Sequence, residues 1–357
     1  MSSITAYTPL SRYSYTRKDY VKNAPVTTCS TGGAVLMRRL KKETEEDEKK
    51  KVVVIMGATG SGKSRLSVDL ATQCFPDSVE VVNSDKIQFY RGLDITTNKM
   101  AMADRRGIPH HLLGELDPGS DMSASEYRAM ASERISDIIA RDKIPFVVGG
   151  SNSYIYALLA KQFNPEVDVF KKEDRSPSPA SGRWELRYNC CFLWVDVLPA
   201  VLNRYLDKRV DDMVRAGMME ELEEWFQSTG TPASTGGLMK AIGVPEFARY
   251  ESGGSLEACV GEIKENTRVL AERQRWKIRR FGQEVAAEGG LKMHRVDATA
   301  AFAAAMMMGP AGSKSESTEI WEKEVLQPSR DILKDFLSDV IISSEKQKQY
   351  ALREHII

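Results

Sequence analysis

The chain has 357 residues, 42% hydrophobic and 28% charged, and lysine plus arginine balance aspartate plus glutamate at 50 each. That is globular composition for one large domain or two moderate ones, and the zero formal charge gives no overall attraction toward nucleic acid. No run approaches the ~18 apolar residues of a membrane span. The five cysteines (Cys29, Cys74, Cys190, Cys191 and Cys259) and four histidines lack the spacing of a zinc site or a disulfide framework, which fits a reducing compartment.

Residues 1–42 are rich in Ser, Thr and basic side chains, with Asp19 as the sole acid. Two readings fit that composition: an organellar transit peptide, plastid or mitochondrial, or an unstructured tail. The charged run 41–51 reads as a solvated linker. From there the elements alternate. Lys51 to Met56 (KVVVIM) is an apolar, β-branched strand, and Ser64 to Gln73 carries apolar residues at helical spacing. Between them lies Gly57-Ala-Thr-Gly-Ser-Gly-Lys-Ser64, a complete G-x-x-x-x-G-K-[ST] loop. Strand, glycine-rich loop and helix together present backbone N–H groups and a helix N-terminus to a phosphate chain. Gly57, Gly60 and Gly62 give the backbone room to wrap an anion, Lys63 adds a point charge, and the Ser64 hydroxyl is placed for Mg²⁺. The loop indicates a polyphosphate; it does not by itself indicate ATP hydrolysis.

Val79 to Asn83 is a second strand, Ser123 to Arg141 a helix opened by a Ser123/Glu126 capping box, and Pro145 to Val148 a third strand followed by Gly149-Gly150. The rhythm predicts an α/β fold: a parallel sheet of the P-loop NTPase type flanked by helices, with a smaller, mostly helical part covering the substrate. The segments 57–64, 83–88 and 149–153, each following a strand, should converge on one crevice. Residues 164–188 begin with a Pro- and Ser-rich stretch that reads as a mobile loop. Asn189 to Val197 is another strand, and the chain then turns helical over Leu198–Phe226, Gly243–Tyr250 and Leu256–Gly282, with a last strand within 291–299 and an amphipathic helix Ile320–Leu337. The expected organisation is a tail (1–45), an α/β core (46–163), the loop (164–188), a helical part with returning strands (189–300) and a C-terminal extension (301–357).

Asp85 directly follows a strand beside the phosphate loop. A carboxylate there is a candidate general base or water-mediated metal contact, although alone it reads as a helix cap. It stands in the run Asp85-x-x-Gln88-x-Tyr90-Arg91-Gly92-x-Asp94-Ile95-x-Thr97-x-Lys99. This run, about twenty residues past the loop, resembles the isopentenyltransferase family, which prenylates the N6 amine of adenine. Lys86 and Thr96 replace that pattern's Ser and Gly and leave the spacing intact. Further matches are Gly149-Gly150-Ser151-Asn152-Ser153-Tyr154, Arg209-Val210-x-x-Met213 with Gly217, Lys240-Ala-Ile-Gly243 with Glu246, and Thr267-Arg268 through Arg273-Gln274. The resemblance spans residues 52–297.

The resemblance implies that the loop, including Thr59 and Ser61, holds the diphosphate of dimethylallyl diphosphate, with Lys63 and Mg²⁺ on Ser64 neutralising the leaving pyrophosphate. It implies that Asp85 accepts a proton from, or orients, the adenine amine. Lys240, Arg273 and Lys277 become candidates for further diphosphate contacts. Ser84, Gln88, Ser151 and Asn152 become candidates for the nucleotide side, and Thr97 and Lys99 for the channel wall. The Gly-Gly-Ser-Asn-Ser-Tyr segment and the Lys240-Ala-Ile-Gly-Val-Pro-Glu run are similar to the plant adenylate branch, which makes cytokinins from free nucleotides. The absence of any cysteine after Cys259, the zero charge and the transit-like N-terminus agree with that branch. The expectation is therefore small-molecule substrates (dimethylallyl diphosphate and ATP or ADP, with AMP open), no nucleic-acid or membrane partner, a monomer, and a plastid location with cytoplasm as the alternative. A tRNA dimethylallyltransferase of the same fold, a small-molecule or nucleotide kinase, and a nucleotide-dependent switch protein are the competing readings. A kinase needs an arginine-bearing lid and a GTPase switch an N-K-x-D motif, and neither is evident.

Overall fold

The computed structural model describes residues 50–171, 184–229, 236–307 and 314–338. The transit-like segment and residues 172–183 of the Pro- and Ser-rich stretch lie outside them.

The central sheet follows from the apolar runs. Strands β1 (Lys51–Gly57), β2 (Val79–Asn83), β3 (His110–His111), β4 (Ile144–Gly149), β5 (Asn189–Asp196) and β6 (Met293–Asp297) are all parallel, in the order β3-β2-β4-β1-β5-β6. In β1 the alternation is literal: Val52, Val54 and Met56 enter the core on one face, and Val53 and Ile55 that on the other. A strand buried on both faces needs both sets to be apolar, which is why it reads as a continuous run. This is the doubly covered, P-loop NTPase-like sheet that the sequence predicted.

One face carries α1 (Lys63–Gln73), α4 (Pro199–Arg215), α8 (Thr299–Met307) and the C-terminal strap. The other carries α2 (Ala124–Ala140), α3 (Asn152–Leu159) and the long α7 (Leu256–Gly289). Helices α5 (Met218–Thr229) and α6 (Val244–Glu251) complete the helical part against α7. The capping box is present at α2, where the Ser123 hydroxyl accepts the Glu126 N–H at 3.2 Å and the Glu126 carboxylate accepts the Ser123 N–H at 2.8 Å.

The structure departs from the expected elements in identifiable ways. The single helical run Leu198–Phe226 is two helices, because Gly217 takes a left-handed φ of 97° between α4 and α5. The helix expected to end at Gly282 continues to Gly289. The edge strand β3 has only two residues, too short for any period-2 signal. The ends of the expected mobile loop are pinned: Phe170 and Trp184 are buried, and Trp184 packs edge-on to Tyr156 and Phe281, with ring centroids 4.9 and 5.5 Å away. The C-terminal segment is a working layer of the fold. Helix α9 (Lys314–Trp321), a π-helical turn (Glu322–Leu326) and the helix to Ser338 bury Trp321, Val325, Leu326, Leu333 and Leu337 against the sheet face beside α1. Pro328 lacks an N–H for the helical ladder, and the π turn sits immediately before it.

Candidate active site

The ends of β1, β2 and β4 meet at one crevice, as parallel-sheet topology requires. Two adjoining cavities occupy it. The smaller, about 250 Å³, is bounded by the phosphate loop and is lined by Gly60, Gly62, Lys63 and Ser64. The larger, about 400 Å³, lies between the 85–98 segment and the helices α4 and α7, and takes apolar side chains from Ile87, Val210, Met213, Ile242, Ile263 and Leu270. Five residues border both: Thr59, Asp85, Gln88, Asn98 and Arg209. Any chemistry between a phosphate-bearing group and a second substrate belongs at that shared wall.

Lys63 opens α1 and is buried, and its ammonium donates to the Ala58 carbonyl at 2.7 Å. Burial pulls its pKa down to about 8, with Arg209 pushing the same way and the Asp85 charge opposing. Asp85 is fixed at three points. Its carboxylate accepts the Ile87 N–H at 3.3 Å, its own N–H donates to Asn83 Oδ1 at 3.1 Å, and its carbonyl accepts from Asn83 Nδ2 at 3.2 Å. It is thus both the cap of the 3₁₀ turn Lys86–Phe89 and a wall of both cavities. Burial raises its pKa, and the charge of Lys63, the Ile87 N–H, Arg209 and Lys99 act against that rise. A carboxylate moved toward neutrality beside two cations suits proton acceptance better than a freely solvated acid.

Arg209 carries weight that the sequence reading did not give it. From α4 it reaches the loop and donates from Nη2 to Thr59 Oγ1 at 3.1 Å, and burial lowers its pKa. The signal was present in the sequence: Leu202, Leu206, Arg209 and Met213 follow an i, i+4, i+7, i+11 stripe, so an arginine occupies a core-facing position. Gln274 of α7 is a second omission. Its Oε1 accepts the Thr59 N–H at 2.7 Å, and its amide fills the space where a Cβ on Gly150 would sit, 2.6 Å away. Glu221 of α5 is a third. Its carboxylate accepts from the Ile95 N–H (2.9 Å), the Thr96 N–H (2.8 Å) and the Thr96 hydroxyl (2.7 Å), and so clamps the segment that lines the larger cavity.

The expected site residues separate into groups. Thr59, Gly60, Gly62, Lys63, Ser64, Asp85 and Gln88 border the phosphate cavity. Gly57 and Ser61 are buried beneath the loop. Lys240 and Arg273, expected around the diphosphate, line the larger cavity only, and Lys240 pairs with Asp121 at 2.6 Å. Lys277 borders neither cavity; its ammonium lies 3.4 Å from Ser153 Oγ and over the Phe170 ring. Ser84, Ser151 and Asn152 stand behind the wall: Ser84 is fully buried, Ser151 Oγ accepts the Lys86 N–H at 2.9 Å, and Asn152 Nδ2 donates to the Gln274 carbonyl at 3.2 Å. Thr97 lines the larger cavity, while Lys99 pairs with Asp94 at 3.0 Å.

Among the described residues no cluster of three or more His, Cys, Asp or Glu side chains is arranged to cage a metal ion. An exposed Ser64 hydroxyl at the mouth of the phosphate cavity fits Mg²⁺ held largely by substrate phosphate oxygens and water. Among the described residues no helix is long and apolar enough to cross a membrane.

A phosphate-loop α/β transferase with a second substrate cavity beyond its loop is the class these features define. The chain belongs to the IPP transferase family, whose model matches residues 88–176 and 166–280. It is 47% identical over 310 residues to the adenylate isopentenyltransferase of Humulus lupulus, covering 80% of this chain and 90% of that protein. It is 45% identical over 300 residues to adenylate isopentenyltransferase 1, chloroplastic, of Arabidopsis thaliana, covering 79% and 80% of the two chains. Among solved structures it is similar to a eukaryotic dimethylallyltransferase acting on tRNA, at 26% identity and a TM-score of 0.64, over 81% of this chain and 80% of that one. The tRNA isopentenylpyrophosphate transferase of Bacillus halodurans, at 24% identity and a TM-score of 0.59 over 84% and 100%, shares the fold.

Proposed function

We propose that this protein is an adenylate isopentenyltransferase, transferring a dimethylallyl group from dimethylallyl diphosphate to the N6 amine of a free adenine nucleotide and releasing pyrophosphate. The observation that carries the reading is the shared wall: a cationic phosphate cavity opens past Asp85 and Arg209 into a cavity with apolar lining. The diphosphate lies against the loop, Lys63 and Arg209. The five-carbon chain crosses the wall, and the adenine approaches from the larger cavity.

The C1–O bond of the donor breaks and an N6–C1 bond forms. The amine proton passes to Asp85, and the bond electrons leave with pyrophosphate. An amine conjugated to a purine is a weak nucleophile, so its placement against C1 supplies much of the rate. Lys63, Arg209 and the loop N–H groups stabilise the charge that grows on the leaving oxygen. The Ser64 hydroxyl would hold Mg²⁺, which would supply further neutralisation of the leaving pyrophosphate. The apolar lining keeps water from an allylic carbon that it would otherwise attack.

The free nucleotide is favoured over tRNA as acceptor by the 45–47% identity to relatives named adenylate isopentenyltransferases, against 26% to the tRNA-acting structure. The zero net charge points the same way. Arg273 brings positive charge to the larger cavity, where Lys240 is held by Asp121, and this suits acceptor phosphates and an ATP or ADP preference. The product belongs to cytokinin biosynthesis. The basic, acid-poor N-terminus and the relatives labelled chloroplastic support a plastid location, with one relative labelled mitochondrial.

The test is incubation of the full chain with dimethylallyl diphosphate, Mg²⁺ and, separately, AMP, ADP, ATP and an adenosine-containing anticodon stem-loop, followed by mass spectrometry. One added prenyl group on a free nucleotide is expected. Modified RNA alone would move the protein to the tRNA branch, and ATP turnover without prenyl transfer would replace both with a kinase.

A further inference from the structure

Arg65 follows the loop's Lys63-Ser64 pair and also borders the phosphate cavity. Its surroundings are unusual for an arginine half open to solvent. Its Nε lies 3.4 Å from Asp69 Oδ2, one turn along α1. Asp69 is buried and also accepts from Arg106 Nη1 and from the Trp321 indole N–H, both at 3.0 Å. One carboxylate therefore faces two guanidinium groups, and a positive charge is left over. The Arg65 guanidinium lies over the Trp321 ring, 4.3 Å from its centroid. Contact with Asp69 through Nε leaves the amino end of the fork uncommitted among the described residues.

Trp321 comes from the C-terminal strap, outside residues 88–280 matched by the family model. It is 2% exposed, and its ring lies against the phosphate loop itself. A Cβ on Gly62, whose φ is +92°, would come 2.8 Å from the indole Cη2. The strap thus does two things at one point: it backs the turn that wraps the anion, and it offers an aromatic face that holds Arg65 beside that anion.

We infer that Arg65 is a further diphosphate-binding residue of the donor pocket, and that Trp321 and Asp69 are positioning residues that hold its guanidinium at the cavity. This rests on the reading of the loop cavity as the diphosphate site. Planar stacking with a free amino fork is a geometry that lysine cannot reproduce, so position 65 discriminates between the two cations.

The experiment titrates the full chain with inorganic pyrophosphate plus Mg²⁺, by calorimetry and tryptophan emission, and measures KM for donor and acceptor in wild type, R65Q, R65K and W321F. R65Q is expected to raise the pyrophosphate Kd and the donor KM about tenfold and to leave the nucleotide KM within about twofold. R65K is expected to recover less than half of that loss. Pyrophosphate should shift tryptophan emission in wild type and not in W321F. Unchanged Kd and donor KM in a folded R65Q protein, beside a wild type that binds pyrophosphate, would overturn the inference and leave the donor-site reading standing. A wild type that binds neither pyrophosphate nor dimethylallyl diphosphate would remove the donor-site reading and the inference with it.

Discussion

Asp85→Asn isolates the proton-accepting role because it changes charge and little else. The carboxylate's structural duty is to accept the Ile87 N–H at 3.3 Å, and an amide oxygen at the same place keeps that bond. The fold and the cap of the 3₁₀ turn should therefore survive, with Tm close to wild type. What disappears is a base at the wall shared by the two cavities. Positioned general bases contribute about 10²–10⁴ in rate, or ~3–5 kcal/mol of barrier, so kcat should fall by that factor. At pH values where Lys63 stays protonated, donor KM should not rise, since the substitution removes a negative charge from beside the diphosphate. A second consequence is specific to this site. The Asp85 charge holds the Lys63 pKa up against burial, which has already brought it to about 8. Neutralising Asp85 lets Lys63 fall further, so the basic limb of the residual kcat/KM profile should move below pH 8. The assay is steady-state prenylation of the preferred nucleotide, read by mass spectrometry across pH 5 to 9. An unchanged kcat would remove the base role. A kcat loss with an unmoved basic limb would break the Lys63–Asp85 coupling while leaving the base.

Four other expectations can be checked with the same assay and a thermal melt. In wild type, kcat/KM for the donor should be bell-shaped. The acid limb should lie above the usual aspartate value because burial raises Asp85, and the basic limb should lie near 8, where free-enzyme Lys63 loses the proton that attracts the diphosphate; a flat profile between 7 and 9 would contradict the Lys63 assignment. Arg209→Ala should lower kcat about 10²-fold and raise donor KM, since it removes both a cation of the shared wall and the donor to Thr59 Oγ1; an effect on nucleotide KM alone would move Arg209 to the acceptor. Glu221→Ala should lower stability by about 2–4 kcal/mol and raise nucleotide KM, because three donors on Ile95 and Thr96 lose their acceptor; an unshifted melt would show that the clamp carries no load. Gly149→Ala should destabilise by at least ~3 kcal/mol, since its Cβ would lie 2.0 Å from the Ser84 carbonyl oxygen, a backbone atom that cannot swing aside; wild-type Tm would refute the close approach.

What the sequence showed clearly was local. The loop from Gly57 to Ser64, the strand that ends at Asn83, the strand that contains Val148, and the Ser123/Glu126 box are each specified by residues within a turn or two of one another, and each is where the pattern put it. Asp85 was legible because its meaning depends on the strand directly before it. The partners of the site were not. Arg209 meets Thr59 across 150 residues, and Gln274 meets it across 215. Charge was visible at Lys240 and Lys277, but nothing in the spacing says that one pairs with Asp121 and the other rests on Phe170. Ser84, Ser151 and Asn152 sit in the matching motifs, and only the assembled structure shows that Ser84 is buried, that Ser151 Oγ accepts the Lys86 N–H, and that Asn152 Nδ2 donates to the Gln274 carbonyl. The C-terminal strap gave only an amphipathic helix; that its tryptophan lies against Gly62 is a property of the assembled sheet face.

The arrangement of the two cavities also bears on why a phosphate loop here serves a leaving group. In a phosphoryl-transfer site the loop and its lysine hold the phosphates, and the acceptor is brought to phosphorus by polar groups. Here the space beyond the shared wall combines polar groups with apolar side chains from Ile87, Val210, Met213, Ile242, Ile263 and Leu270, and that apolar surface can enclose a branched five-carbon chain and the face of a purine. Among the described residues the only carboxylate common to both cavities is Asp85. It lies at the boundary between the phosphate cavity and the apolar one, the place where a carbon bearing a diphosphate would meet an amine. On the proposed reading, transfer of carbon rather than phosphorus fits that position: the loop would stabilise the charge that departs, and Asp85 would accept the proton on the side where the new bond forms.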